Sequence, residues 1–333
     1  MAAGQPLNAT FFAFRKRERG GVLLSTTIAY IVMAAVLMAA FVALNLGPIM
    51  QVASWYGGTI QQAMQGNSGP PDMTGLMSSF MALSGAYTLF LFCIYVLLAA
   101  YEAACLRWLV RGERGGVFGL SLGGDTWRVW LGYWIWLLLL IGFYILCVVV
   151  MMIAGVGAFG TFATATEKAP ANGGAAVLIM FAAMLGIIAL CAYIGTRLAP
   201  GAATSVISKR FAMFDAWKVT NGRFWALFGA FVLLWLLYFL AIIVVEIIIG
   251  VVMGATMAGA IAGAGQGGDP SAMLSSLMSP PMLIMIALIY VGILAIAMTF
   301  CIAMFGVNAR AVIAAAEEGK LPGVTPPQAE VFS

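Results

Sequence analysis

Histidine is absent from the chain, and several kinds of catalytic site are excluded with it. Without histidine there can be no Ser-His-Asp or Cys-His nucleophile system and no HExxH zinc site. The five cysteines stand singly, mostly inside apolar runs, and no CxxC pair occurs, so neither a zinc knuckle nor a disulfide framework is indicated. No Walker A sequence occurs. The sequence therefore predicts no enzyme, no cofactor and no metal site.

Charge is also scarce. Only 8% of the 333 residues are charged, whereas 63% are hydrophobic. A soluble domain is usually about 25% charged, so this chain could not cover a surface that faces water. Continuous apolar runs of about 20 residues recur, which is the length that crosses a bilayer as a helix. We therefore predict an all-α polytopic membrane bundle of six transmembrane helices, with spans at residues 22–47, 78–106, 129–156, 175–199, 224–256 and 281–307.

These spans divide the chain into three parts. Residues 1–21 are predicted to be an N-terminal amphipathic segment, residues 22–320 the transmembrane domain, and residues 321–333 a disordered tail. The loop after the first span and the loop after the fifth are rich in Gly, Pro, Ser and Gln, and we expect both to be flexible and too small to hold a core.

Lysine and arginine lie almost entirely on one side of the predicted spans. Of the 16 Lys and Arg residues, 15 fall in one set of loops and only Lys168 falls in the other. Cytoplasmic loops carry this excess, which sets the orientation of a membrane protein. The pattern predicts a multi-pass protein of the bacterial inner membrane with both termini in the cytoplasm. The cations are dispersed along the membrane edges, which favours contact with membrane lipids and not with nucleic acid.

A charged, aromatic phrase occurs twice at this basic side. The chain reads "DTWRVWLG" at residues 125–132 and "DAWKVTNG" at residues 215–222. The matching pairs are Asp125 with Asp215, Trp127 with Trp217, Arg128 with Lys218, Val129 with Val219, and Gly132 with Gly222. Each copy precedes or enters an odd-numbered span. We infer three repeated helical hairpins joined by interfacial elbows on the cytoplasmic side.

Each residue of the second copy has a structural interpretation. Asp215 suits a helix N-cap, and Lys218 can pair with it at i+3. Trp217 and Trp225 are typical of the headgroup level, and Gly222, like Gly132, is expected to permit a bend. The alternative is a binding motif. In that case the candidate contacts with lipid headgroups or partner proteins are Arg128, Arg210, Asp215, Trp217, Lys218, Arg223 and Trp225.

The segment "AATSVISKRFAMFDAWKVTNGRFWALFG" before the fifth span carries a resemblance. Together with six spans, it resembles the bacterial membrane proteins of the glycerophosphoryl diester phosphodiesterase membrane-domain family, and related uncharacterised six-helix families. The resemblance implies the fold and the location. Some members of that family are associated with a phosphodiesterase domain, but this chain has no histidine and no soluble region large enough for one. The resemblance therefore implies no catalytic activity here.

Glu246 lies inside the apolar fifth span, and acids in spans are candidates for function. Steps of four residues lead from it to Gly250 and Gly254, a stripe that lets helices approach closely. We expect Glu246 to face a packed interface. It lies 23 residues after Arg223, about 34 Å along a helix, near the outer boundary, where Asn45 could donate a hydrogen bond to it. Glu246 is then a structural carboxylate, a proton- or cation-linked site, or part of a subunit contact. Glu102, with Arg107 near it in sequence, is interpreted as an ordinary boundary carboxylate.

Two functions remain open from the sequence. The first is a non-enzymatic integral membrane protein that binds lipid or partner proteins through its basic cytoplasmic elbows. The second is a small permease or lipid transporter that uses Glu246. A homo-oligomer formed through the Gly250 and Gly254 stripe is compatible with both. The span centres are nearly pure Leu, Ile, Val, Ala and Met, which favours the first function.

Overall fold

A computed structural model describes residues 8–15, 21–64, 73–163, 173–264 and 280–324. The helices are α1 (Phe12–Arg15), α2 (Val22–Leu44), α3 (Leu46–Met64), α4 (Met73–Arg111), α5 (Gly124–Ala163), α6 (Gly173–Leu198), α7 (Gly201–Ile207), α8 (Ala216–Thr220), α9 (Phe224–Ala264) and α10 (Pro280–Glu317). No strand occurs in these ranges, where the β-type pairing consists of a bridge between Val117 and Leu120. Residues 325–333 of the predicted tail lie outside the described residues.

The predicted all-α architecture with six spans is confirmed. Six helical segments are long and apolar enough to cross a membrane: Val22–Leu44, Leu76–Arg111, Gly124–Ile153, Leu178–Ile207, Phe224–Ala255 and Ile284–Glu317. Large apolar side chains are exposed along all of them. In a bilayer this exposure is favourable, and a helix satisfies its own backbone hydrogen bonds. The chain is therefore an integral, multi-pass membrane protein.

The first loop differs from its prediction, because part of it is helical. Residues 46–64 form α3, including Gly57 and Gly58, which meet no other side chain. Asn45 separates α2 from α3 with φ −115° and ψ 20°, and its Nδ2 donates to the carbonyl of Phe41 at 2.8 Å. Pro48 falls in the first turn of α3, where a proline needs no backbone donor. The prediction of a flexible loop was based on its content of glycine and proline. It did not take into account where in a helix these residues would fall.

The described chain forms two compact units, and the division falls within α6 and α7. One unit contains α2 to α5 and α6 as far as Cys191. In it α2 and α5 both pack on α4, whose small residues Ala99, Ala100 and Ala103 are buried and permit close approach. Tyr101 is fully buried between them: its ring stacks on Tyr30 at 4.7 Å, and its hydroxyl lies 2.9 Å from Thr27 Oγ1.

The other unit contains α1, the end of α6 and α8 to α10. Here α9 packs along α10, and α10 continues without a break through the basic segment that was predicted to follow the sixth span. The residues 307–316 of that extension are largely buried. The pairing of α2 with α4 and of α9 with α10 agrees with two of the three predicted hairpins. The second hairpin and the repeat itself stay predictions.

The contact between α1 and α10 depends on Gly306. A Cβ at this position would lie 2.8 Å from Ala13 Cβ and 2.9 Å from the Ala13 backbone nitrogen. Backbone cannot move aside as a flexible side chain can, so we expect Gly306→Ala to destabilise the protein by about 1–3 kcal/mol. Gly292→Ala in the same helix is the control, because nothing lies within 4 Å of its position. Thermal unfolding of the two purified variants measures the difference, and equal melting temperatures would contradict the assigned contact.

Candidate functional site

The second copy of the repeated phrase forms a short elbow before α9. A 3-10 turn at Met213–Asp215 leads into α8, and Gly222, with φ +80°, lies in the short connection between α8 and α9. This φ lies in the left-handed region that favours glycine. The predicted bend of the chain into the bilayer at Gly222 stays a prediction. Asp215 Oδ1 accepts a hydrogen bond from Lys218 Nζ at 2.8 Å, which confirms the predicted i+3 pair.

Asp215 does not cap α8, and that prediction is wrong. Its backbone is helical, with φ −66° and ψ −15°, and its side chain makes no cap hydrogen bond. A capping residue normally has an extended backbone that turns its oxygen towards the amides of the first turn. The 3-10 turn removes that geometry.

An arginine enclosed by aromatic rings lies beside this elbow. The guanidinium carbon of Arg197, near the end of α6, lies 5.4 Å from the ring centroid of Tyr193, 5.3 Å from that of Trp217 and 5.5 Å from that of Phe224. Such distances are typical of cation–π contacts. The ring of Trp217 thus comes from the elbow, that of Phe224 from the start of α9, and that of Tyr193 from the preceding turn of α6. We call these four residues the Arg197 cage.

The Arg197 cage holds a cation that has few polar partners. Arg197 Nη1 donates to Thr220 Oγ1 at 3.3 Å, while its buried Nε has no hydrogen-bond partner within the described chain. No described carboxylate lies within ion-pair distance of it. A guanidinium has five N–H donors in a planar fork that matches phosphate and carboxylate oxygens. The cage therefore presents a pre-oriented cation able to accept an anionic group.

Other basic residues near the elbow are committed to internal contacts. Arg223 donates to the Ala311 carbonyl at 3.3 Å and forms an ion pair with Glu318, which joins the start of α9 to the end of α10. Lys320 Nζ lies 2.9 Å from Glu318 Oε2 and donates to the carbonyl of Asn221 at 2.9 Å. Arg223, predicted as a headgroup contact, is thus held within the fold.

The first copy of the phrase lies at the start of α5 and is organised differently. Asp125 Oδ1 lies 2.6 Å from Arg128, and Asp125 Oδ2 lies 2.5 Å from Arg111 and 4.0 Å from Arg107. Asp125 and the two arginines of α4 are almost fully buried. Arg107 also donates to Gly119 O at 3.0 Å, and Arg111 to Val206 O at 2.8 Å. Arg128, also predicted as a headgroup contact, therefore belongs to a buried ion cluster.

The helix α5 continues through Gly132, from Gly124 to Ala163, so the predicted bend at this glycine stays a prediction. A Cβ at Gly132 would lie 3.7 Å from the sulfur of Met213. This is an ordinary van der Waals distance, so an alanine would fit beside Met213.

The remaining candidates of the elbow face outwards. Trp225 is 77% exposed and Trp217 is 44% exposed. Lys218 and Arg210 are exposed as well. The unit that contains α8 to α10 therefore exposes the ring of Trp217, which belongs to the Arg197 cage, and the ring of Trp225, which contacts Phe224 of the cage, as residues at a headgroup level do.

Glu246 and Asn45 do not form the predicted packed polar site within their own units. Glu246 is exposed on α9 and pairs with no described residue of its unit, and the positions of Gly250 and Gly254 have open space around them. The expected packing of this face is thus not observed in the unit that contains it. Asn45 belongs to the other unit and bonds to Phe41. A hydrogen bond between Asn45 and Glu246 stays a prediction.

No group of three or more Cys, Asp or Glu residues in the described ranges could hold a metal ion.

Comparison of the chain with protein-family models, with curated proteins and with solved structures found no match.

The two aspartates of the repeated phrase should differ in their effect on stability. Asp125→Asn removes the carboxylate that the buried Arg107 and Arg111 share, although Arg111 keeps its ion pair with Glu113 at 3.0 Å, and we expect a loss of about 3 kcal/mol. Asp215→Asn removes the partner of an exposed lysine, for which we expect less than about 1 kcal/mol. Denaturant unfolding of both variants compares the same chemical change in the two copies. Equal losses would show that the two pairs are energetically equivalent.

The surroundings of Glu318, at the end of α10, predict that the stability of the protein depends on pH. The hydrogen bond from Lys320 and the nearby charge of Arg223 hold the pKa of Glu318 below its ordinary value. A carboxyl with a lowered folded pKa stabilises the protein above its unfolded pKa, about 4.3, and this contribution is lost as the pH falls through the folded pKa. Glu318→Gln should therefore be less stable than the wild type at pH 7 and equal to it at strongly acidic pH. Melting temperatures across this range test the sign.

Proposed function

We propose that this integral membrane protein binds anionic lipid headgroups at the elbow before α9, and that it catalyses no reaction. The Arg197 cage is the observation that supports this proposal. The guanidinium is held by three rings and one hydroxyl, and no carboxylate of the described chain neutralises it. A phosphate diester offers the acceptor oxygens and the negative charge that this group lacks.

The surroundings of the cage suit a lipid surface. Trp217 contributes one face to the cage and remains partly exposed, and Trp225 lies exposed at the start of α9. Indole rings are comfortable where one side is apolar and the other is wet. Lys218, although paired with Asp215, is exposed and adds positive charge nearby. The excess of Lys and Arg in one set of loops supports a placement of this elbow at the cytoplasmic face of a bacterial inner membrane, with both termini on that side.

The proposed lipid-binding surface is confined to this elbow, whereas the sequence alone predicted binding through all the basic elbows. Arg128 and Arg223 are bound to carboxylates inside the fold, so their charge is largely compensated. The proposed headgroup contacts are therefore Arg197, Trp217, Lys218 and Trp225. Glu246 lies exposed on α9 and forms no site with described residues of its unit, so the permease alternative has less support than lipid binding.

A second copy of the chain is a further proposed partner, at the Gly250 and Gly254 face. Both positions have open space around them in α9. Small residues spaced by four allow the backbones of two helices to approach closely.

Replacement of Arg197 tests lipid binding. Arg197→Gln keeps the length and some hydrogen bonding but removes the charge, and charged hydrogen bonds contribute about 1.5–3 kcal/mol. We expect affinity for phosphatidylglycerol to fall by about tenfold to a hundredfold. Native mass spectrometry of the gently extracted protein, titrated with phosphatidylglycerol and with phosphatidylcholine, measures the retained lipid and also the number of subunits.

The matched control is Lys209→Gln. It removes the same charge from an exposed residue whose ion partner, Glu113, is also exposed. This variant should retain phosphatidylglycerol as the wild type does. Equal retention by all three proteins, or a wild type that binds both lipids alike, would contradict the proposal.

A further inference from the structure

An aromatic groove lies between α4 and α5, in the unit that does not contain the Arg197 cage. Its volume is about 770 Å³, and more than half of its lining residues are aromatic. Trp130 makes edge-to-face contacts with Phe92 and Trp134 at centroid distances of 5.8 and 5.6 Å, and Tyr95 meets Tyr133 in the same way at 6.4 Å. Cavities of this size hold small organic molecules.

A buried carboxylate lies next to the wall of this groove. Thr88 and Tyr95 line the groove on α4, and Glu102 follows at the same spacing of seven residues, so the three share one face of the helix. The hydroxyl of Tyr133, another lining residue, donates to Glu102 Oε2 at 2.6 Å. Glu102 itself is only 9% exposed. The groove wall and the carboxylate are thus joined by a single hydrogen bond.

Glu102 has no cation partner in the described part of the chain. Arg107, one and a half turns further along α4, donates to Gly119 O and lies near Asp125. Glu102 and Arg107 are thus near each other in sequence, as the interpretation as a boundary carboxylate noted, but they form no ion pair. Burial of a charge is unfavourable unless it is paired or well hydrogen-bonded, and one tyrosine hydroxyl leaves three acceptor sites of the carboxylate unused. Acids within spans mark binding or transfer sites by default.

We propose that the aromatic groove binds a lipophilic organic cation, with Glu102 as its counter-charge. The ring faces attract a cation through their negative electrostatic potential, and the attraction increases when water is excluded. In its ionised form Glu102 supplies a negative charge that no described residue balances. An anion would meet a repulsive carboxylate. A belt of tryptophans at the membrane edge accounts for exposed rings, but it does not account for a buried, unpaired acid behind them.

Tetraphenylphosphonium is the probe, and tetraphenylborate is an anion of the same shape. Both are titrated by calorimetry into the full-length protein in lipid nanodiscs, with empty nanodiscs subtracted. The wild type should bind the cation saturably and the anion only by partition. Saturable binding of both ions with similar affinity would overturn the proposal, since it would show a merely apolar cavity.

Glu102→Gln should weaken binding of the cation by about tenfold or more, because the charge is removed and the shape is kept. Glu246→Gln is the matched control. Glu246 is the second described acid that makes no ion pair, and it lies on α9, in the unit that does not contain the groove. This variant should bind the cation as the wild type does. Unchanged binding by folded Glu102→Gln would overturn the proposal, as would an equal loss in both variants.

If Glu102→Gln does not fold, a second variant still tests the proposal. Trp134→Leu removes one ring from the partly exposed wall and leaves Glu102 in place. Loss of one cation–π contact should reduce affinity for tetraphenylphosphonium by about threefold to tenfold, without an effect on partition of tetraphenylborate. Equal affinity of this variant and the wild type for the cation would count against the groove as the site. The Arg197 variants should leave this binding unchanged, so failure of the lipid proposal and failure of this one can be distinguished.

Discussion

The pairing of a few carboxylates with arginines at helix ends is the interaction on which the rest of this structure depends. Asp125 joins α4 to the start of α5 through Arg107, Arg111 and Arg128, and Glu318 joins α9 to α10 through Arg223. Acids are scarcer than cations in this sequence, with 12 Asp and Glu against 16 Lys and Arg. Among the described acids, only Glu102 and Glu246 make no ion pair. A charged side chain without an ion partner is therefore unusual among the described residues. Each of the two proposed binding sites contains one, Arg197 in the cage and Glu102 beside the groove.

The spans could be predicted from the sequence because hydrophobicity and length determine them locally. A continuous apolar run must be helical in lipid, whatever its neighbours are. Helix ends were less predictable: α4 and α10 extend well beyond their apolar cores, to Arg111 and Glu317. The polar ends continue as helix because they pack on other helices, and that packing depends on tertiary structure. The helical α3, where a flexible loop was expected, has the same cause, since it packs on α4.

The repeated phrase shows the limit of local interpretation most clearly. Both copies form the i+3 pair that their spacing predicts, Asp125 with Arg128 and Asp215 with Lys218. Their surroundings then differ, because two buried arginines of α4 approach the first aspartate, whereas the second pairs with the exposed Lys218. The first copy is part of a buried cluster at the start of the continuous helix α5, and the second forms an exposed elbow before α9. The Arg197 cage was missed because its rings come from three elements. The spacing of Tyr193 and Arg197, four residues apart on α6, was the one local signal of it.

The two uncompensated charges are not equivalent, and their surroundings decide what each one needs. Aromatic faces carry negative potential, so Arg197 is already stabilised by the three rings around it. Its cage can persist empty, and a headgroup adds to a stable arrangement. The same faces do nothing for a carboxylate, and Glu102 has only the hydroxyl of Tyr133. A cation that enters the neighbouring groove would be attracted both by the rings and by the acid, and it would relieve the unfavourable burial of that acid. The groove therefore offers a cation two attractions, whereas the Arg197 cage, which already holds a cation, offers it none.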